Sequence, residues 1–515
     1  MLLWARRVRR APFLSIAVLL AVVPVGQAQV HAQERSESEA GRNAIASEIR
    51  SEVGGKLRDV YGPRGYWPLW IEDGAVGEQA DALLALIDSA DLDGLDPDDY
   101  DPKGVRKLVD AASDGMPKAL ARADLALSKA FVALARDMRR PSRSVEMRYL
   151  DPELEPSRAD SADLLRAAAL SPSFQRYVAQ VGWMSPLYMR LRKARATYDE
   201  GWGKLPDTYI PTDVRIRPGM RGFEVDALRQ RLGLDEGAGY DRALAARVKA
   251  FQADHGLAAD GVAGTQTVAA LNRGPRWFDR RLALNLERAR LLPGPYVRHV
   301  VVDAAAARLY YYDRGALDGT MKVVVGAKAS QTPMMAGMIR YATLNPYWNI
   351  PTDLVEKSVA PKVLRGSSLK GMGFEALSDW SANARPLAQS EIDWRAVADG
   401  GQELRVRQLP GGDNAMGRVK FMFPNDLGIY LHDTPSRGLF AKDARQLSNG
   451  CVRLEDAARL GRWFFGKSLG SGSGEVEEHR PLPQAVPVYL TYLTAVPNGD
   501  GVRFLLDVYG RDGEE

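Results

Sequence analysis

The run I-Y-L-H-D-T-P-S-R-G-L-F-A-K-D-A-R-Q-L-S-N-G-C-V-R-L, from Ile429 to Leu454, decides how the rest of the chain is read. It places His432 at the end of a short strand and Cys451 just after a small turn containing Gly450. In such a setting a thiol is accessible and backbone amides, here those of Gly450 and Cys451, face a substrate carbonyl. An unperturbed thiol has a pKa of about 8.5 and is only slightly ionised near neutrality, so nucleophilic work requires a neighbouring imidazole or cation. His432 and Arg453 are those neighbours, provided that two adjacent strand ends bring His432 to Cys451. By residue type alone, a lone cysteine is more often a buried small apolar group. The sequence around this one favours chemistry.

Working outward, the period around this run is that of strands: Val297–Asp303, Arg308–Tyr312, Met321–Val325, Val419–Phe423, Ile429–His432 and Val486–Leu493. The stretch 352–418, with Trp380 and Trp394, is too long for a connecting loop and reads as an inserted lid subdomain. Gly470–Gly474 reads as a surface loop and 494–515 as a C-terminal tail, in which Val502–Val508 reads either as a last strand or as a peripheral stretch. Before this β-rich region, a helix is expected over Arg280–Leu292. A small helical unit over 211–272 is punctuated by Gly219, Gly222, Gly256, Gly261 and Gly264, and Leu228, Leu232, Val248, Phe251, Leu257, Val268 and Leu271 would close its core. His255 is expected there as an exposed turn residue. Residues 40–205 have helical period, and Leu127, Phe131, Leu134 and Met138 share one face. Asp91, Asp93, Asp96, Asp98 and Asp99 lack the spacing of a calcium loop and read as a solvated loop. The fold class is therefore multidomain α+β.

The 515 residues suit about three domains. The net charge of +4 comes from Arg6, Arg7, Arg9 and Arg10, and the remainder holds 65 bases against 65 acids, which gives no electrostatic reason to expect nucleic acid. Those arginines precede an apolar stretch, Ala11–Val25, with Gly26 and Ala28 spaced for cleavage. Residues 1–28 thus read as a signal peptide for export to the periplasm, leaving a polar, flexible start and no stable membrane insertion. An uncleaved anchor is the competing reading, weakened by the short apolar run and Pro24. One cysteine cannot form an internal disulfide, and the five histidines are scattered without ligand spacing, so no metal site is expected; the glycines lack a phosphate-loop Lys-Ser/Thr ending, so no nucleotide cofactor is expected either.

The histidine, T-P-S and S-x-G-C-V-R elements resemble the signature of the L,D-transpeptidases, the YkuD-type catalytic domain. N-P-Y-W-N-I-P (Asn345–Pro351), R-Q-L-P-G-G-D-N-A-M-G-R-V-K-F-M-F-P-N (Arg407–Asn425) and D-G-L-D-P-D-D-Y (Asp93–Tyr100) resemble the large YcbB-like subgroup. The glycine-punctuated unit resembles a three-helix peptidoglycan-binding domain. Arg437, where a lysine is common, and Asn449 depart from the pattern.

The resemblance implies a helical scaffold domain (40–205), a peptidoglycan-binding domain (211–272) and a β-rich catalytic domain (297–493). It makes Cys451 the nucleophile and His432 its base, with Arg453, Ser448 and Asn449 in support and Tyr430 and Thr434 along the substrate groove. The implied reaction is a three-to-three cross-link between peptidoglycan stem peptides through a cysteine thioester, with release of D-alanine, and the implied inhibitors are carbapenems. Interception of the same thioester by water (an L,D-carboxypeptidase) or by a protein lysine (lipoprotein anchoring) stays open, as does a non-enzymatic wall-binding scaffold.

Overall fold

The computed structural model describes residues 25–140, 145–156, 161–211, 215–470 and 477–513. Residues 1–24, most of the expected signal peptide, and 471–474 of the Gly/Ser loop lie outside the described residues. Among the described residues no helix is long and apolar enough to cross a membrane. The stretch after Ala28, expected to be flexible, belongs to a helix over Val25–Glu52 rich in Ala, Gln, Glu and Arg, all good helix formers.

The chain divides into two compact units. One comprises residues up to Gly77 together with Lys103–Ser128. Its centre is polar and satisfied: Asp124 accepts the N–H groups of Leu69 and Trp70 at 2.8 Å each, and the Tyr61 hydroxyl. Ser128 Oγ bonds Tyr61 (2.7 Å) and accepts from Trp70 Nε1 (2.8 Å). Burial pushes the Asp124 carboxyl up to about 6. Strands β1 (Ile71–Glu72) and β2 (Ala75–Val76) form a hairpin whose two turn residues, Asp73 and Gly74, both have positive φ, the geometry an Asp-Gly pair favours.

The second unit comprises Glu78–Pro102 and Lys129–Glu515. In it, Asp93 is buried instead of solvated: Arg192 Nε lies at 2.8 Å and the Tyr188 hydroxyl donates at 2.6 Å. A cation from a distant helix neutralises the carboxylate, which loop composition cannot reveal. Among the described residues no cluster could hold a metal ion. Helices Phe223–Arg231, Arg242–Asp254 and Thr265–Asn272 bury all the expected core residues of their unit except Leu257, which is half-buried.

His255, expected to be exposed, is buried. Its ring stacks on Phe251 (centroids 3.7 Å apart) and Phe504 (5.3 Å), with Phe278 edge-on (4.4 Å). Phe504 belongs to a hairpin, β17 (Ala495–Asn498) with β18 (Gly501–Phe504), formed by what was expected to be a tail. Beyond it Tyr509 is buried and stacks on Tyr492 (4.8 Å). Both surprises have one cause: aromatic residues near the C-terminus cover surfaces made by earlier parts of the chain.

The β-rich region is built from β4 (His299–Asp303), β5 (Arg308–Asp313), β6 (Ala316–Gly326), β7 (Met335–Leu344), β12 (Val419–Met422), β13 (Leu431–His432), β14 (Gln446–Ser448), β15 (Val452–Leu454) and β16 (Glu478–Thr491). The path β12-β13-β15-β6-β5-β4-β16-β7 returns to its start, because β7 also pairs with β12, so the sheet closes on itself. β3 (Arg148–Tyr149) pairs with β7 and β14 with β6. Val300, Val302, Val323, Val325, Ile339, Phe421, Leu431, Val452 and Leu454 fill the interior together with Leu460 and Phe464 of helix Ala457–Phe465.

Between β7 and β12 lies a second sheet, β10-β9-β11-β8, formed by β8 (Trp348–Asn349), β9 (Phe374–Leu377), β10 (Pro386–Leu387) and β11 (Arg405–Gln408). Its own core includes Val355, Val359, Trp394, Val397 and Val406. Trp380 is exposed, with the Arg405 guanidinium 5.3 Å from its ring.

Candidate active site

His432 and Arg453 are register partners in the parallel pair β13–β15, and Lys420 of β12 is the register partner of His432 on the other side. Paired residues share a face and side chains alternate along a strand, so Lys420, His432 and Arg453 form one row, with Cys451 two residues before Arg453 on the same face. All four line one cavity of about 340 Å³, with Tyr430, Ser448 and Asn449 from the barrel and Tyr347, Trp348, Asn349, Leu354 and Met416 from the insertion. The structure thus brings Cys451 and His432 to one cavity, and adds Lys420, which the sequence reading missed.

The turn before Cys451 is fixed from several sides. Ser448 Oγ donates to Cys451 O (2.6 Å) and accepts from Gly450 N (3.2 Å). Thr332 Oγ1 donates to Gly450 O (2.7 Å) and accepts from Gly326 N (2.9 Å), and the Tyr509 hydroxyl donates to Gly326 O (2.6 Å). Gly450 has φ +109, and a Cβ there would stand 2.9 Å from Ile429 Cδ1, so this position requires glycine.

Ser448 therefore orients the turn and makes no bond to His432. The Gly450 N–H is already taken, a correction to its expected role as an oxyanion donor, whereas the Cys451 N–H has no partner among the described residues. Thr434 is buried outside the cavity lining, its hydroxyl accepting from Ser436 N (3.2 Å), so it caps the T-P-S turn rather than meeting substrate.

His432 is buried, and its Nδ1–H donates to Asp433 O (2.6 Å), which leaves Nε2 as the acceptor. Burial first, then the Arg453 charge, hold its pKa down to about 4, so the ring is neutral at pH 7 and able to accept a proton. The Asp433 carboxylate anchors that carbonyl: it accepts Arg418 N (2.9 Å) and pairs with Arg437 (2.5 Å), which also donates to Glu455 O (2.9 Å). Burial pushes the Cys451 thiol up, opposed by the Tyr430 amide and by Arg453 and Lys420, and Sγ–H donates to Gly428 O at 3.3 Å. The resting pair is neutral thiol with neutral imidazole.

A closed β-barrel presenting a thiol and a neutral imidazole to one cavity, roofed by an inserted subdomain, defines a site suited to cysteine nucleophile chemistry. Comparison with known families agrees with that class: residues 297–464 match the model of the "L,D-transpeptidase catalytic domain", YkuD, preceded by a match to a "Putative peptidoglycan binding domain" over 228–271 and to a "Scaffold domain" over 55–194.

A protein of Haemophilus influenzae named "Putative L,D-transpeptidase" is 33% identical over 241 residues, which are 45% of this chain and 48% of that protein. The chain thus spans about half the length of the curated relative it matches. Among solved structures, an L,D-transpeptidase from Mycobacterium smegmatis (12% identity, 38% of this chain and 58% of that one) has a TM-score of 0.19. One from Xylanimonas cellulosilytica (18% identity, 56% of this chain and 100% of that one) has a TM-score of 0.18. Neither likeness bears on the reading at such scores.

Proposed function

We propose that the protein is a periplasmic peptidoglycan L,D-transpeptidase that forms three-to-three cross-links, exported by a signal peptide over residues 1–28. The observation that carries this reading is the neutral thiol of Cys451 and neutral imidazole of His432 in one cavity of an L,D-transpeptidase catalytic domain. His432 Nε2 takes the thiol proton as Sγ attacks the carbonyl of the third stem residue. The tetrahedral oxyanion is met by the Cys451 amide, a donor of a kind whose removal typically costs about 3 kcal/mol in the transition state. As the intermediate collapses, His432 returns the proton to the leaving D-alanine amine, which leaves a thioester on Cys451. The amine of a second stem then attacks the thioester and loses its proton to His432, which reprotonates the departing thiolate.

Tyr347, Trp348 and Leu354 of the insertion roof the cavity, which favours an amine acceptor over water, since a covered thioester is shielded from hydrolysis. Incubation of the purified chain with sacculi, followed by mass analysis of digested muropeptides, tests the proposal. Three-to-three linked dimers and free D-alanine are expected, both lost in Cys451→Ala. Stems trimmed to tripeptides without dimers would instead make it a carboxypeptidase, and unchanged sacculi a binding scaffold.

A further inference from the structure

The cavity around Cys451 holds two cations and no acid: none of its lining residues is Asp or Glu. Arg453 is half-buried, its guanidinium makes no hydrogen bond or ion pair among the described residues, and its Nε is fully buried without a partner. Lys420 is half-buried and in no ion pair among the described residues; its Nζ stands 5.2 Å from the centroid of the Tyr430 ring. The acid that acts on it, Glu477, lies outside the lining and already accepts the Tyr347 N–H at 3.1 Å.

Neutral His432 and the neutral thiol offer neither cation a counter-charge. Desolvated charges without partners cost several kcal/mol and persist where a ligand supplies the missing ion. A guanidinium presents a planar fork matched to a carboxylate, and an ammonium adds a point charge beside it.

We propose that Lys420 and Arg453 form a seat for a substrate carboxylate next to the bond that Cys451 attacks. Arg453 stands two residues beyond Cys451, a separation of roughly 6.6 Å along a strand. A carboxyl group one residue past the attacked carbonyl lies about 3.5 Å further on, inside the cavity that Cys451 and both cations line. The seat would make the enzyme select donors by charge: an acyl donor ending in a free carboxylate fits, and its amide does not. The assignment deepens the proposed reading and rests on it for the identity of the donor. Two carboxylates share this chemistry, that of the leaving residue and that on the side chain of a third-position diamino acid.

The full chain is alkylated with iodoacetate, an anion, and with iodoacetamide, its neutral amide; each forms a C–S bond at Sγ and expels iodide. Cys451 is the only cysteine, so intact mass reads the reaction directly. Relative to the same rate ratio for free cysteine, iodoacetate is expected to be favoured by about tenfold or more, the worth of one charge-assisted bond. Lys420→Met and Arg453→Met should each reduce that preference. The ratio cancels any general change in thiol ionisation.

Tetrapeptide donors amidated singly at the leaving residue or at the third residue then identify the source. The one whose carboxylate occupies the seat should lose about tenfold in kcat/KM with wild type, and that discrimination should shrink toward parity in Lys420→Met, whereas damage to folding would slow both peptides alike. A wild-type alkylation ratio equal to that of free cysteine, or peptides turned over equally whichever carboxyl is amidated, overturns the seat. A raised ratio in a protein that turns over no stem peptide would leave the seat standing and remove the proposed function.

Discussion

Replacing Thr332 by valine tests whether the turn that presents Cys451 is held by the loop behind it. Thr332 is fully buried, and its hydroxyl is the link between Gly450 O (2.7 Å) and Gly326 N (2.9 Å). Valine has nearly the same shape, so packing is preserved while two buried backbone groups lose their partner. Each orphaned group costs about 1–3 kcal/mol, and with partial relaxation the sum should come to about 2–4 kcal/mol. At roughly 2–4 °C per kcal/mol for a domain of this size, thermal unfolding should fall by about 5–10 °C.

Acylation of Cys451 by a carbapenem, followed by intact mass, should slow more than tenfold, because a nucleophile displaced by about 1 Å loses its attack geometry. Thr332→Ser keeps both bonds and should recover most of each effect. A valine variant as stable as wild type, with unchanged acylation, would show that Ser448 alone positions the turn.

His255→Phe should become increasingly advantageous as the solution is acidified. The folded pKa of His255 is depressed to about 3 by burial, against 6.5 when unfolded, so below pH 6.5 the unfolded chain binds a proton the folded one refuses, and stability falls with pH toward that folded value. At about 1.4 kcal/mol per pH unit the variant should gain about 2 kcal/mol on wild type between pH 6.5 and 5, and denaturant midpoints that shift in parallel refute it. Arg437→Ala should lower kcat several-fold with little change in KM, because Asp433 then holds the His432 partner carbonyl less firmly, while Arg437→Lys retains most of the rate. Equal loss in both variants would deny the ion pair that role. Deleting 211–272 should impair wall binding and turnover together, since it uncovers Phe504 and Phe278; a truncated chain with full turnover of a soluble stem peptide would show that the hairpin stands without His255.

The strands most legible in the sequence were those rich in valine and tyrosine, such as β4 and β5, and the thiol and imidazole were legible because turn glycine, cysteine and strand-end histidine sit in one run. β7, M-A-G-M-I-R-Y-A-T-L, escaped because Met, Ala and Gly fill it where β4 has a run of valines, so neither alternation nor β-branched composition marks it. Its Gly337 marks where Leu150 and Phe423 press against the backbone, at 2.9 and 3.2 Å from where a Cβ would stand. Lys420 had a usable signal, since in V-K-F-M it points away from the apolar face of Val419 and Phe421. Val502–Val508 carried the signal of a last strand, of which Gly501–Phe504 is the observed part, whereas His255 and Asp93 had none, because what buries them comes from segments far away in sequence.

Leu344 and Val419 are direct partners across the β7–β12 pair, and Asn345 N donates to Arg418 O at 3.0 Å. Residues 345–418 are therefore, in connectivity, the loop of a single β-hairpin, one that has grown into a folded module with its own core. Because both ends leave the barrel at the same point, the module can change length or sequence without moving any strand of the ring, and the entropy of closing a longer loop rises only slowly with its length. The residues proposed to perform the chemistry and those that roof them can thus diverge at different rates: Cys451 and His432 are constrained by the barrel, whereas the roof of Tyr347, Trp348 and Leu354 is open to revision by a graft at one hairpin tip.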